Sequence, residues 1–326
     1  MSKWIVIISL ALFSLNCRQA NGKELTRISM DSIADTAGFR ANGSLRLLAT
    51  RGFEFTISDG SKTQKVVGKG FDKKDIIKCK FSANCERIVA ITGPIRNLLF
   101  TSPLNISYKY HLSAPQGDRE TVVVFTDSLL QLDISQCQSV RNLLCREYQL
   151  TELDVTHNPD LEQLDCSENR LRTLDMSQNR NLQVLFCSKN QLKDIDVIHN
   201  QKLRELVCFD NENLSLDVSA NRNLEFLSCG RLLKEINLTN NTELKELICR
   251  CKLTKLDLSK IKKLKKLRID GNSLSAEELN FIFKALPTVD YYKDHTEIDF
   301  SDNPGTSDCD RSILEEKGWL SPDINM

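Results

Sequence analysis

The chain has 326 residues, 40% hydrophobic and 27% charged, which is enough apolar material for one long or two compact folded domains. Its 44 Lys and Arg balance 44 Asp and Glu. With a net charge of +0 there is no whole-protein positive field to gather phosphates, which removes the general argument for a nucleic-acid partner.

Residues 1–17 read as an export signal, with Lys3 as the positive start and Trp4 to Leu15 as the apolar run. That run is too short to be a permanent membrane-spanning helix. It ends in Ser14-Leu15-Asn16-Cys17, which resembles a bacterial lipobox, the motif whose cysteine is acylated and becomes the mature N-terminus. Ser14 and Asn16 stand where a leucine and a small residue are usual. The resemblance implies lipidation at Cys17, and with it an exported, surface-exposed chain held to a bacterial envelope membrane by its lipid. Plain secretion and an uncleaved anchor stay open as alternatives.

Residues 24–86 read as a small N-terminal β-domain. Short strands are expected at 44–50, 53–58, 65–67 and 76–81, separated by Arg51-Gly52, Asp59-Gly60 and Gly68-Lys-Gly70. Such a domain spaces the remainder of the chain from the anchor, or shields the first exposed strand edge. Pairing of Cys79 with Cys85 in an exported protein is left open.

From 88 to 272 the chain repeats. The half-unit LxxLxC is written at Leu161/Leu164/Cys166, Leu182/Leu185/Cys187, Leu203/Leu206/Cys208, Leu224/Leu227/Cys229 and Leu244/Leu247/Cys249, and closes as Leu264/Leu267/Ile269. Cysteines at 145, 166, 187, 208, 229 and 249 set a constant 21-residue step that shortens by one at the last. Ile95/Leu98/Phe100 has the same internal spacing, and Val122/Val124 lies one such step before Leu143/Cys145, so degenerate first coils are expected here. The second half-unit, LxxLDVSxN, alternates as a strand with one buried face does. Two strands per coil, and so two parallel sheets, are expected.

Three columns run through the coils. The asparagines 158, 179, 200, 221 and 241 suit side chains that satisfy the backbone of adjacent turns. The cysteines form a line, whereas a metal needs ligands converging on a point. They are read as packing thiols, with no metal and no cofactor. Cys249-Arg-Cys251 is the one place where pairing or thiol reactivity stays open. Asp133, Asp154, Asp175, Asp196, Asp217 and Asp257 precede a Ser or Thr by two residues in most coils and can share backbone bonds with it.

The segment Leu182-Gln-Val-Leu-Phe-Cys-Ser-Lys-Asn-Gln-Leu-Lys-Asp-Ile-Asp-Val-Ile-His-Asn200 resembles the 21-residue class of bacterial leucine-rich repeats in internalin-like surface proteins and envelope lipoproteins. The resemblance covers about 88–320. It implies a β-rich leucine-rich repeat solenoid of parallel strands in 21-residue coils, whose exposed strand faces bind macromolecules. Residues 273–326 resemble the closing cap of these proteins. Read from the residues, Ser275 and Glu278 form a capping box, Leu279, Ile282, Phe283 and Leu286 a helical stripe, and Pro287 a stop.

The framework residues repeat and the outward ones do not. Val184, Phe186, Val207, Phe209, Phe226 and Ile248 are expected to form an outward apolar cluster, and they are the candidate partner-binding residues. That the N-terminal domain or a loop covers them is the competing reading. His111, His157, His199 and His295 lie in no catalytic or metal motif, and there is no Gly-rich phosphate loop, so a non-enzyme is expected. The expected function is adhesion or protein–protein interaction with a host or envelope protein. The alternatives are a carbohydrate-handling accessory lipoprotein that binds a glycan, and a structural envelope component. Both Trp lie outside the repeats, which favours protein over glycan.

Overall fold

The computed structural model describes the backbone of short strands between residues 36 and 125, then residues 131–135 and 139–319 except 213, 214 and 231. The export signal with Cys17, and Cys85 and His111, lie outside the described residues. The chain divides into two compact units, Met1–Leu171 and Arg172–Met326.

In the first unit, β1 (Thr36–Ala41), β2 (Leu45–Ala49), β3 (Glu54–Ser58), β4 (Thr63–Val67) and β5 (Ile77–Cys79) are followed by β6 (Arg87–Thr92), β7 (Asn97–Thr101), β8 (Thr121–Phe125) and β9 (Gln131–Asp133). Strands β2 to β5 fall on the four stretches expected from alternation and turn residues. Strands β1 and β6 are additional. They pair antiparallel along their whole length, Phe39 against Val89, and belong to a sheet ordered β4-β3-β6-β1-β9.

The parallel stack of the first unit is built by β10 (Asn142–Leu144) and β11 (Gln163–Asp165), with Leu143 beside Leu164. On its other side β10 takes β7, placing Leu143 beside Leu98. This corrects one expectation. Val122 precedes Leu143 by one full repeat step, yet it sits beside Leu98, because β8 pairs outside β7. Spacing alone cannot tell a neighbouring coil from a strand that reaches the same register by another route.

In the second unit, β12 (Val184–Phe186), β13 (Glu205–Val207), β14 (Phe226–Gly230), β15 (Glu246–Arg250), β16 (Lys266–Arg268) and β17 (Glu297–Asp299) run parallel. Their central residues, Leu185, Leu206, Leu227, Leu247, Leu267 and Ile298, lie in register. Each coil contributes one strand, not two. In the second half-unit, Leu174 and Met176 alternate inward as expected, at 8% and 2% exposure. The backbone beyond them turns instead of pairing, however. Ser177 N–H donates to Asp175 Oδ1 (2.9 Å), and Asn179 N–H donates to the Met176 carbonyl (3.1 Å). Groups bonded locally cannot build a second ladder.

The asparagine column satisfies the backbone of adjacent turns, as its spacing implied. Asn221 is fully buried, and its Nδ2 donates to the carbonyls of Val197 (2.9 Å) and Asn200 (2.9 Å) in the preceding coil. Asn200 and Asn241 repeat the arrangement. A second asparagine column holds the opposite corner. Asn211 Nδ2 donates to the carbonyls of Cys187 (3.0 Å) and Cys208 (3.1 Å), while its Oδ1 accepts from Leu192 N–H (3.1 Å). In the 21-residue coils the residue before this asparagine takes a left-handed backbone, φ 57° at Glu168, 53° at Lys189 and 54° at Asp210.

The cap begins at α1 (Ala276–Ala285), whose N-cap Ser275 accepts from Glu278 N–H (3.2 Å). The expected capping box forms by half. Glu278 Oε1 accepts from Leu256 N–H (2.9 Å), so the carboxylate ties the helix to a preceding coil rather than to its own N-cap. Leu279, Ile282, Phe283 and Leu286 are buried. Phe283 meets Phe300 edge to face at 5.0 Å, and Trp319, 1% exposed, donates through Nε1 to the Pro287 carbonyl (2.8 Å). No helix among the described residues is long and apolar enough to cross a membrane.

Candidate partner-binding face and the thiol ladder

Alternation along each short strand sends the central Leu inward and its two neighbours outward. In the second unit the register lines up these outward residues as two rows. One row reads Phe186, Val207, Ser228, Ile248, Arg268, Asp299. The other reads Val184, Glu205, Phe226, Glu246, Lys266, Glu297. Val184, Phe186, Val207, Phe209, Phe226 and Ile248 are all half-buried, whereas the framework Leu and Cys beside them are closed to solvent.

The rows also show what sequence spacing did not reveal. Glu205 stands between Val184 and Phe226, and Glu246 beyond Phe226, so the apolar cluster is interleaved with acid. Burial pushes the Glu205 carboxyl above its usual range, and neighbouring Glu225 and Glu246 add to this against the lowering effect of Arg204. Farther along the stack the face becomes ionic, with Lys266 on Glu297 (2.8 Å), Arg268 on Asp299 (3.3 Å) and Arg250 on Asp270 (2.7 Å). The sequence has one local basic run, Lys260, Lys262, Lys263, Lys265, Lys266 and Arg268, in which Lys263 and Lys265 are also ion-paired, to Glu243 and Asp294. Four of its six cations, Lys263, Lys265, Lys266 and Arg268, thus carry an acidic partner.

The outward column differs in the first unit. Leu144 and Asp165 occupy outward positions but are only 2% and 5% exposed. Desolvation raises the Asp165 carboxyl, against the lowering effect of the Ser167 N–H at 3.0 Å.

In the second unit the thiols of Cys187, Cys208, Cys229 and Cys249 form a buried line, and in the first unit those of Cys145 and Cys166 are buried too, none of them in a disulfide. Burial pushes the Cys208 thiol up to about 12 and raises those of Cys145 and Cys166 well above the ordinary range. These protonated thiols pack as small hydrophobes. At one end the line gains a member. Cys249 Sγ lies 3.2 Å from Cys229 Sγ and 3.1 Å from Cys251 Sγ. Cys251 does not continue the column, so only its two-residue spacing from Cys249 hinted at the cluster. His157 and His199 are both exposed.

The functional domain of InlJ from Listeria monocytogenes, which includes a cysteine ladder, is 30% identical to this chain over 58% of it and 45% of the InlJ chain, with a TM-score of 0.50. The repeat region is an internalin-like leucine-rich repeat solenoid. An internalin from the F2365 strain of the same species, InlF, matches 59% of this chain and 56% of its own at 20% identity and a TM-score of 0.52, and supports the fold of the internalin-like solenoid. The matches span about half the length of each of these two solved chains. No family model matches the chain, and no curated protein does so.

Proposed function

We propose that the chain is a non-catalytic, exported interaction protein, held to a bacterial envelope through lipid on Cys17, which binds a protein partner on the strand face of its second unit. The observation that carries this reading is the half-buried apolar row Phe186, Val207 and Ile248, with Val184, Phe209 and Phe226 beside it, on a surface whose framework is otherwise shared from coil to coil. A contact surface needs a few large apolar anchors ringed by polar groups, and Glu205, Glu246 and Arg268 supply the polar surround. Adhesion to a host protein and assembly with another envelope protein are both served by this chemistry.

Affinity capture with the full chain, followed by mass spectrometry, identifies the partner. The variant carrying Phe186→Ser and Phe209→Ser then tests the face. Its capture is expected to weaken by at least about 30-fold, the equivalent of losing roughly 2 kcal/mol of anchor energy. Its melting temperature is expected to stay that of the parent. Unchanged capture, or unfolding in place of a binding defect, would remove the face from consideration.

A further inference from the structure

We propose that Cys229, Cys249 and Cys251 form a buried three-sulfur site for a soft metal ion of the copper(I) class. A straight line of cysteines offers no convergent donors, which is why the sequence argues against a metal. The line stops being straight at these residues.

The cause is coil length. From Cys166 to Leu171 and from Cys187 to Leu192 the corner has its full complement, but from Cys229 to Leu233 and from Cys249 to Leu253 it is one residue shorter. The corner asparagine is missing from both short coils. The strands run on in compensation, and β14 and β15 pair through Cys229 against Cys249 and Gly230 against Arg250. Gly230 permits this, since a Cβ there would lie 2.7 Å from the Arg250 carbonyl oxygen. In the longer coils the second residue after the cysteine turns into the left-handed region, and its side chain leaves the core: Lys189 and Asp210 are exposed. Cys251 occupies the corresponding place, does not adopt that backbone, and continues the strand alternation. Arg250 is exposed and Cys251 faces in at 5% exposure. Asn272 of the next coil fixes it there, its Oδ1 accepting from the N–H groups of Cys251 (3.1 Å) and Leu253 (3.0 Å).

The three sulfurs lie within 4.8 Å of one another. A trigonal ion with metal–sulfur bonds of about 2.3 Å needs its sulfurs about 4.0 Å apart. Two of the pairs, at 3.1 Å and 3.2 Å, lie within about 1 Å of that value and the third is no more than 4.8 Å, so small side-chain shifts would seat the ion. Among the described residues no fourth ligand joins this group, and its members are buried. Zinc in a structural site takes four ligands in a tetrahedron, whereas three soft thiolates suit copper(I). Binding displaces thiol protons to solvent and forms copper–sulfur bonds without a change of oxidation state.

The test titrates the full chain, reduced and anaerobic, with copper(I) against a competing copper(I) chelator, and records X-ray absorption of the loaded protein. The expected result is one tightly held copper with three sulfur neighbours at about 2.3 Å. Cys251→Ser and Cys251→Ala, with folding checked by circular dichroism, are expected to weaken it by more than about 100-fold, beyond the effect of losing an outer-shell contact. Cys309→Ser, in the cap, is expected to leave it unchanged. The wild-type spectrum decides even if the Cys251 variants fail to fold. Two sulfurs or none around copper, tighter four-coordinate binding of zinc, or a disulfide among the three cysteines in protein recovered from cells would each overturn the assignment.

Discussion

Residue by residue, the columns separate into groups that hold the backbone and groups that fill the core. The aspartates belong to the first. Asp175, Asp217 and Asp257 each accept the N–H of the Ser two residues on, and these bonds hold their carboxyls below the usual range. The stability they contribute is present above the ordinary carboxylate pKa and is lost as pH falls through the depressed values. Asn237, which fills the gap in this column, accepts from Thr239 N–H at 3.0 Å, so the turn requires an acceptor and not a charge. Asp175→Asn is therefore expected to keep the neutral-pH melting temperature and to flatten its decline in acid, whereas Asp175→Ala lowers it already at neutral pH. Thermal melts across an acid series measure both. The buried asparagines have no such substitute. Removing Asn221 would take one of two donors from each of the Val197 and Asn200 carbonyls, which keep the N–H groups of Asn200 and Leu203, at a cost of about 0.5–1.5 kcal/mol for each bond lost.

Among the elements, a one-residue change in coil length decides more than any substitution. The 21-residue coil closes its corner with an asparagine that replaces missing backbone partners. The shorter coil closes it by lengthening the strand, and requires Gly230 where β14 and β15 approach. Gly230→Ala is expected to destabilise the second unit by about 1–3 kcal/mol, as overpacking against rigid backbone does. Denaturant unfolding of the variant beside the parent measures it, and an unchanged midpoint would refute the close approach. The cap is only partly legible from its residues. The helix, its N-cap and its stripe follow from Ser275 and the apolar spacing. The same spacing assigns Glu278 to its own helix, yet Glu278 serves Leu256, because which buried N–H lacks a partner depends on the neighbouring coil.

Across the whole molecule, repetition divides the labour between scaffold and surface. A coil cannot bury its own faces, so neighbours must supply the hydrogen bonds and the packing, and the residues that do so recur. In the proposed function, selection of a partner falls to what does not recur, the apolar rows and the acids between them. Attachment is tested on the intact chain in its cell. Cys17→Ala is expected to move the protein from the membrane fraction to the soluble fraction, read by fractionation and immunoblot, and retention in the membrane would exclude the lipid as the anchor. The coil length, the Leu, Cys and Asn framework and the cap helix are written in the residues alone, because each coil solves the same local problem and spells the solution again. It took packing between coils to settle that each carries a single strand, that Leu98 and not Val122 lies beside Leu143, and that Cys251 turns in to meet Cys249. Those outcomes depend on which backbone groups a neighbouring coil leaves to be bonded, and no single coil's residues record that.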